Sequence, residues 1–333
     1  MPGENLTRIE AQDRRAVIDP TAGSGIEYEV TLDLNRGAEV FGSRTVVRFA
    51  ATPGANTFID LIARDVREIT LNGRSIDPAS AFTDSRIALE NLEATNELVV
   101  DADCMYTNTG EGLHRFVDPV DGEVYLYSQF EVPDSRRMYT VFEQPDLKAT
   151  FRFTVTAPEQ WAVVSNSPTP EPTRHGDGTA TWAFVPTDRI SSYITALVAG
   201  PYESTFSELT SASGRVIPLG VYGRKSLWHH LDADYIFDKT REGFAYFEEK
   251  FNFPYPFAKY DQLFVPEFNA GAMENAGAVT FTETYVFRGK VTDAVKERRV
   301  VTILHELAHM WFGDLVTMKW WNDLWLNESF AEW

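Results

Sequence analysis

The chain has 333 residues, 44% of them hydrophobic and 24% charged, with a net charge of −19 from 49 acids and 30 bases. That composition belongs to an ordinary globular protein with sizeable cores, and the length suggests two domains. The negative charge argues against nucleic acid and acidic membrane surfaces as partners; it suits cationic substrates such as free amines, although solubility is its simpler explanation.

From Met1 through Arg15 the chain mixes Glu4, Arg8, Glu10, Asp13, Arg14 and Arg15 without an apolar segment, so no signal peptide is expected. No run approaches the roughly 20 apolar residues of a membrane span. The single cysteine, Cys104, cannot form an internal disulfide and suits a reducing compartment and a core position. A cytoplasmic protein, monomeric and without a membrane partner, is the resulting expectation.

From about Gly25, Ile26, Tyr28, Val30, Leu32 and Leu34 alternate with polar residues, the period of a half-buried strand, and Asn35-Arg36-Gly37 turns the chain back. Short strand-like stretches recur at 45–49, 58–62, 97–100, 151–156, 161–165, 181–185 and 193–198, so residues 1–200 are expected to form an all-β domain. Past Gly200-Pro201 the pattern changes: helical spacing over 231–250, strands at 260–265 and 279–287, and a long helix with Asp293 as N-cap and Gly313 as stop. The fold class expected is α+β, with a second domain over 201–333.

The long helix carries His305-Glu306-Leu307-Ala308-His309. Histidines four apart share one helix face and can grip one ion. Two imidazoles and a carboxylate suit zinc and leave a fourth position for water, from which Glu306 can take a proton. A bland alternative is an amphipathic helix with two surface histidines. Glu328, eighteen residues beyond His309 in Trp325-Leu326-Asn327-Glu328-Ser329, begins another predicted helix and supplies the third ligand of a three-ligand catalytic site. His305, His309 and Glu328 are thus the predicted ligands of one zinc ion, and the chemistry implied is hydrolysis of a peptide or similar acyl bond.

Gly271-Ala272-Met273-Glu274-Asn275, with His305-Glu306 beginning 30 positions later, resembles the aminopeptidase N family of zinc metallopeptidases. The resemblance extends to Trp311-Phe312-Gly313-Asp314, Leu324-Trp325-Leu326-Asn327-Glu328, Gln129-Phe130-Glu131, Asp134-Ser135-Arg136-Arg137 and Phe142-Glu143-Gln144-Pro145, where Gln144 replaces the more usual acid. It implies a saddle-like β-domain followed by the first part of a thermolysin-like catalytic domain. It also implies an aminopeptidase of the membrane alanyl type, with Glu274 and Glu131 binding the substrate's free α-amine. Carboxylates at a fixed distance from zinc would restrict attack to the first peptide bond. Gly271 with Ala270 and Ala272 would let an extended peptide approach the backbone. By resemblance, Ala270 and Gln129 would line a roomy first-residue pocket, with Met273 and Asn275 completing the substrate-binding stretch. Substrates expected are peptides with a free N-terminal amine.

Family members continue past the position of Trp333 with a tyrosine that donates to the oxyanion and with a helical domain, so the 333 residues alone are expected to be poorly active. Trp320, Trp321, Trp325 and Phe330 are expected to lack neighbours. Three other readings share the same residues: an epoxide-hydrolysing relative, a zinc endopeptidase of the thermolysin type, and a non-catalytic peptide-binding module.

Overall fold

The structure, a computed structural model, describes residues 3–333, so Met1 and Pro2 of the charged N-terminal stretch lie outside it. The alternation read from Ile26 onward forms the strand Ile26–Asp33, whose Ile26, Tyr28, Val30 and Leu32 are all buried. This strand runs antiparallel to Val40–Ala51 and parallel to Ala149–Pro158 within a nine-stranded sheet. Register places Tyr28 opposite Phe151, and their rings stack with centroids 4.8 Å apart. The Tyr28 hydroxyl accepts from the Phe142 amide, so a core aromatic also satisfies a buried backbone donor. Cys104, in Thr95–Met105 of the same sheet, is fully buried.

A three-stranded sheet (Thr57–Asp60, Arg86–Leu89, Phe82–Thr83) and a four-stranded sheet (Gly112–Val117, Val124–Gln129, Leu197–Gly200, Ala162–Ser165) complete the first part. The stretch expected as one strand over 193–198 is divided. Ser192–Ile194 makes a 3-10 turn, and pairing resumes at Leu197, because Tyr193 and Thr195 turn their hydroxyls to buried partners.

The first 200 residues are not all-β. Helix α1 spans Arg8–Val17 and a short helix α2 spans Pro78–Ala81. Thr7 and Glu10 form a capping box at the start of α1. Apolar periodicity missed α1 because its buried residues are Ala11 and Arg14. Arg14 is held 2.8 Å from Asp60, both side chains essentially inaccessible, with the guanidinium over the Phe58 ring. The unusual Gln144 belongs to the same junction: its amide donates to the Ala11 carbonyl and to Asp146, bonds that an ionised carboxylate could not donate.

Leu197–Gly200 closes one sheet, and Tyr202–Thr210 opens a five-stranded sheet with Val216–Arg224, Tyr260–Val265, Ala278–Thr282 and the outermost strand Ala272–Met273. We propose the division between domains at this change of sheet. Around the second sheet stand α3 (Ala233–Phe251), α4 (Asp293–His309) and α5 (Leu324–Glu332). Thr292, not Asp293, occupies the N-cap of α4; Asp293 is the first helical residue, where its charge favours the helix N-terminus. The expected strand 279–287 stops at Thr282 and becomes a 3-10 turn, Glu283–Tyr285, capped by the Thr282 side chain. Trp325 is exposed as expected, whereas Phe330, though exposed, stacks on Phe312 with ring centroids 4.4 Å apart, Trp321 packs edge-on to Tyr193 and Trp320 is half-buried. The assembly is α+β, and among the described residues no helix is long and apolar enough to cross a membrane.

Removing one member of a buried ion pair strands the other charge away from water. Arg14→Met is therefore expected to lower stability by about 3–5 kcal/mol in urea denaturation, against about 0.5 kcal/mol or less for exposed Arg8→Met. Equal, small losses would show that Arg14 and Asp60 do not hold α1.

Candidate metal centre and substrate cleft

Helix α4 is fixed before its chemistry begins. Gly243 on α3 faces it so closely that a Cβ there would lie 2.6 Å from the Leu304 Cδ2 and 2.9 Å from the Leu307 Cδ2, so a larger residue would have to push these leucine methyls aside. Arg299 is buried and makes a two-pronged pair with Asp232 at the head of α3. His305 and His309 then project from one face at helical spacing, and α5 packs against α4 and brings Glu328 to them.

The two Nε2 atoms are 3.1 Å apart, and Glu328 places carboxylate oxygens 3.3 Å from His305 Nε2 and 3.6 Å from His309 Nε2. Ligands about 2.0–2.1 Å from a tetrahedral ion are separated by roughly 3.3–3.4 Å, so the three side chains have the spacing of a closed set of metal ligands. His309 Nδ1 lies 2.9 Å from the Phe312 carbonyl, to which it can only donate, so once Nε2 loses its proton that atom presents a lone pair to the cleft. Donor type and spacing both fit a single divalent ion.

A cleft of about 300 Å³ opens over these atoms. Its wall includes Glu131, Ala270, Gly271, Ala272, Glu274 and Glu306 among the predicted residues. Gln129 ends the strand Val124–Gln129 outside this wall, while Met273 and Asn275 are buried behind it, Asn275 donating to the Thr280 hydroxyl. Ala272–Met273 pairs with Ala278–Thr282 and is the outer strand of its sheet, so the small residues at 270–272 sit on an edge. The segment Asp134 to Arg137 and Glu143 lie elsewhere: Glu143 is fully buried and accepts from Ser135, the Arg136 amide and Ser192, which gives these motifs a structural role.

Electrostatics around the cleft are strongly one-sided. Oxygens of Glu131, Glu274 and Glu328 come within 4.8 Å of one another. Burial, then repulsion from Glu274 and Glu328, pushes Glu131 up to about 8. Burial likewise raises the Glu306 carboxyl well above its ordinary value, opposed by His309 and reinforced by Glu274, Glu328 and Glu131. Burial works against a charged His309, but Glu274, Glu328 and Glu306 outweigh it and lift its pKa well above the ordinary range. Glu328 moves the other way, held low chiefly by hydrogen bonding to His305 and His309. One carboxylate oxygen each of Glu274 and Glu306, and both of Asp314, are buried without a partner among the described residues. Such a cluster calls for added positive charge and for water.

Sequence reasoning missed Arg298, Val301 and Thr302, which also line the cleft, and Asp314, which is buried near it. Arg298, Thr302, His305 and His309 follow the helical period along one face of α4, and extending the histidine pattern upstream finds them.

Two domain families match the chain: the Peptidase M1 N-terminal domain over residues 26–194 and the Peptidase family M1 domain over 235–333. The chain is 63% identical to aminopeptidase N of Streptomyces lividans, over 99% of its own length and 38% of that protein. It is 38% identical to aminopeptidase Ey of Gallus gallus, over 63% of its length and 22% of that protein, and 30% identical to probable aminopeptidase 1 of Sulfurisphaera tokodaii, over 91% and 37%. The chain thus spans well under half the length of these relatives. With both domain matches in chain order, and with the histidine pair, Glu306 and Glu328 gathered at one cleft, the chain belongs to peptidase family M1.

Proposed function

We propose that this chain carries the zinc site, the general base and the amine anchor of an aminopeptidase that releases N-terminal residues from peptides. One observation carries the reading: Glu131 and Glu274 add two carboxylates beside the ligand Glu328, more negative charge than three-ligand metal binding needs. A substrate ammonium is the natural complement, and it fixes the chain end next to the metal. An endopeptidase has no use for this second acidic pair.

Zinc held by His305, His309 and Glu328 would supply Lewis acidity, polarising the scissile carbonyl and making water easier to deprotonate. Glu306 takes that proton and delivers it to the departing amine. Glu131 and Glu274 hold the α-ammonium. The edge strand Ala272–Met273 offers its backbone to an extended peptide, and glycine at 271 and alanine at 270 keep side chains out of its path. Family relationship and donor set support one zinc ion per chain, and the lone buried Cys104 supports a reducing, cytoplasmic setting.

An alanyl peptide with a free amine should be cleaved and its acetylated form spared, with metal removal abolishing the reaction. Glu306→Gln is expected to cost about 10²–10⁴-fold in kcat, and Glu131→Gln or Glu274→Gln about tenfold to a hundredfold in kcat/KM. Cleavage of the acetylated peptide at an equal rate would replace this reading with an endopeptidase.

Because carboxylates lift His309 toward protonation and burial lifts Glu131, zinc must displace protons when it binds. Zinc affinity should therefore rise with pH through neutrality, and calorimetry in two buffers of different ionisation enthalpy should register net proton release. Uptake with no proton exchange would contradict the electrostatic account.

A further inference from the structure

We infer that Lys148 is a positioning residue for the metal site: its ammonium clamps the loop that leads from His309 to Glu328 and so sets the relation between those two ligands. The inference rests on the zinc reading. Lys148 belongs to the first domain, immediately before the strand Ala149–Pro158, whose register is locked on both sides by pairing to Ile26–Asp33 and Thr179–Ala183. Its origin is therefore rigid.

After α4 the chain folds back in wide turns, with Asp314 N donating to His309 O, Leu315 N to Met310 O and Val316 N to Trp311 O. The carbonyls beyond this ladder need other donors. Lys148 Nζ donates to Asp314 O at 2.8 Å, which the Thr317 hydroxyl also reaches at 3.2 Å, and to Leu315 O at 3.0 Å. Two more residues of the first domain grip the same loop: the Tyr193 hydroxyl donates to Gly313 O at 3.4 Å and Arg15 Nη2 to Lys319 O at 3.1 Å. A compact cation is well suited to adjacent carbonyls past a helix C-terminus.

This loop presses on the ligand. A Cβ on Gly313, whose φ is +134°, would lie 3.1 Å from His309 Nδ1, and the Phe312 carbonyl orients the same imidazole. Movement of 313–315 is thereby transmitted to the His309 ring at one end and, through the chain to α5, to Glu328 at the other. Lys148 itself bonds only the Asp314 and Leu315 carbonyls and no ligand side chain, so it acts through the loop and does not touch the ion or substrate.

Zinc-loaded protein and its Lys148→Met variant are mixed with a chromogenic chelator, and zinc transfer is followed with time. Release is expected to be about tenfold faster or more in the variant, in line with losses of supporting groups around metal ligands, and largely restored in Lys148→Arg. The Tm difference between variant and wild type should be larger for zinc-loaded than for zinc-free protein. An unchanged release rate with equal Tm losses in both forms would overturn the proposal and leave Lys148 a plain tether. If Lys148→Met does not fold, Tyr193→Phe should accelerate release to a smaller extent, and no acceleration there would equally overturn it. Failure of the wild-type protein to take up zinc would instead sink the metal reading on which the inference stands.

Discussion

The arrangement of this molecule turns on an excess of negative charge in a partly buried place. Glu131, Glu274, Glu306 and Glu328 come from four separate elements of the chain and meet around two imidazoles, with Asp314 buried nearby. Carboxylates so placed are buried and also repel one another, and burial first, then that repulsion, displaces Glu131 and Glu306 upward. Proteins do not keep such clusters for stability. On the proposed reading, a divalent ion in the three-ligand set and an ammonium between Glu131 and Glu274 would provide the missing charge, and each would return neighbouring carboxyls toward their ionised forms. As the proposed base, Glu306 would become competent once those cations are bound.

Holding that cluster open is the work of the fold. The two histidines and Glu306 stand on one rigid helix, itself locked by Gly243 and by the Arg299–Asp232 pair. Glu274 follows an outer strand of the second sheet, and Glu131 follows the strand Val124–Gln129 of the first part. The first sheets thus deliver an acidic side chain to a cleft centred on the second sheet system, and they also secure the loop beyond α4. A site built this way depends on the junction between sheets, where Tyr193 reaches Gly313 and Trp321.

Much of the site was legible in the sequence because its central geometry is local. Histidines four apart on a helix must share a face, and the acid between them must lie beside whatever they bind. Glu328 required a second helix to be inferred, and Glu131 required resemblance, since nothing in a strand-like Gln129-Phe130-Glu131 announces a partner more than a hundred residues away. Lys148 and Asp314 were out of reach for the same reason: their importance lies in backbone carbonyls and burial that only folding creates. Helix α1 hid because its inward face is an arginine, and the strand expected over 193–198 was interrupted by tyrosine and threonine hydroxyls seeking distant partners. Local periodicity reports which face is apolar, and it cannot report a buried polar side chain that is satisfied from another part of the chain.

The claim on which all of this stands is that the end of α4 and the middle of α5 form one metal site. Zinc-edge X-ray absorption on the protein loaded with one equivalent tests it most directly. The account requires two imidazole ligands with the remaining ligands oxygen, all near 2.0–2.1 Å. A sulfur ligand from Cys104, or a spectrum with a single imidazole, would contradict it.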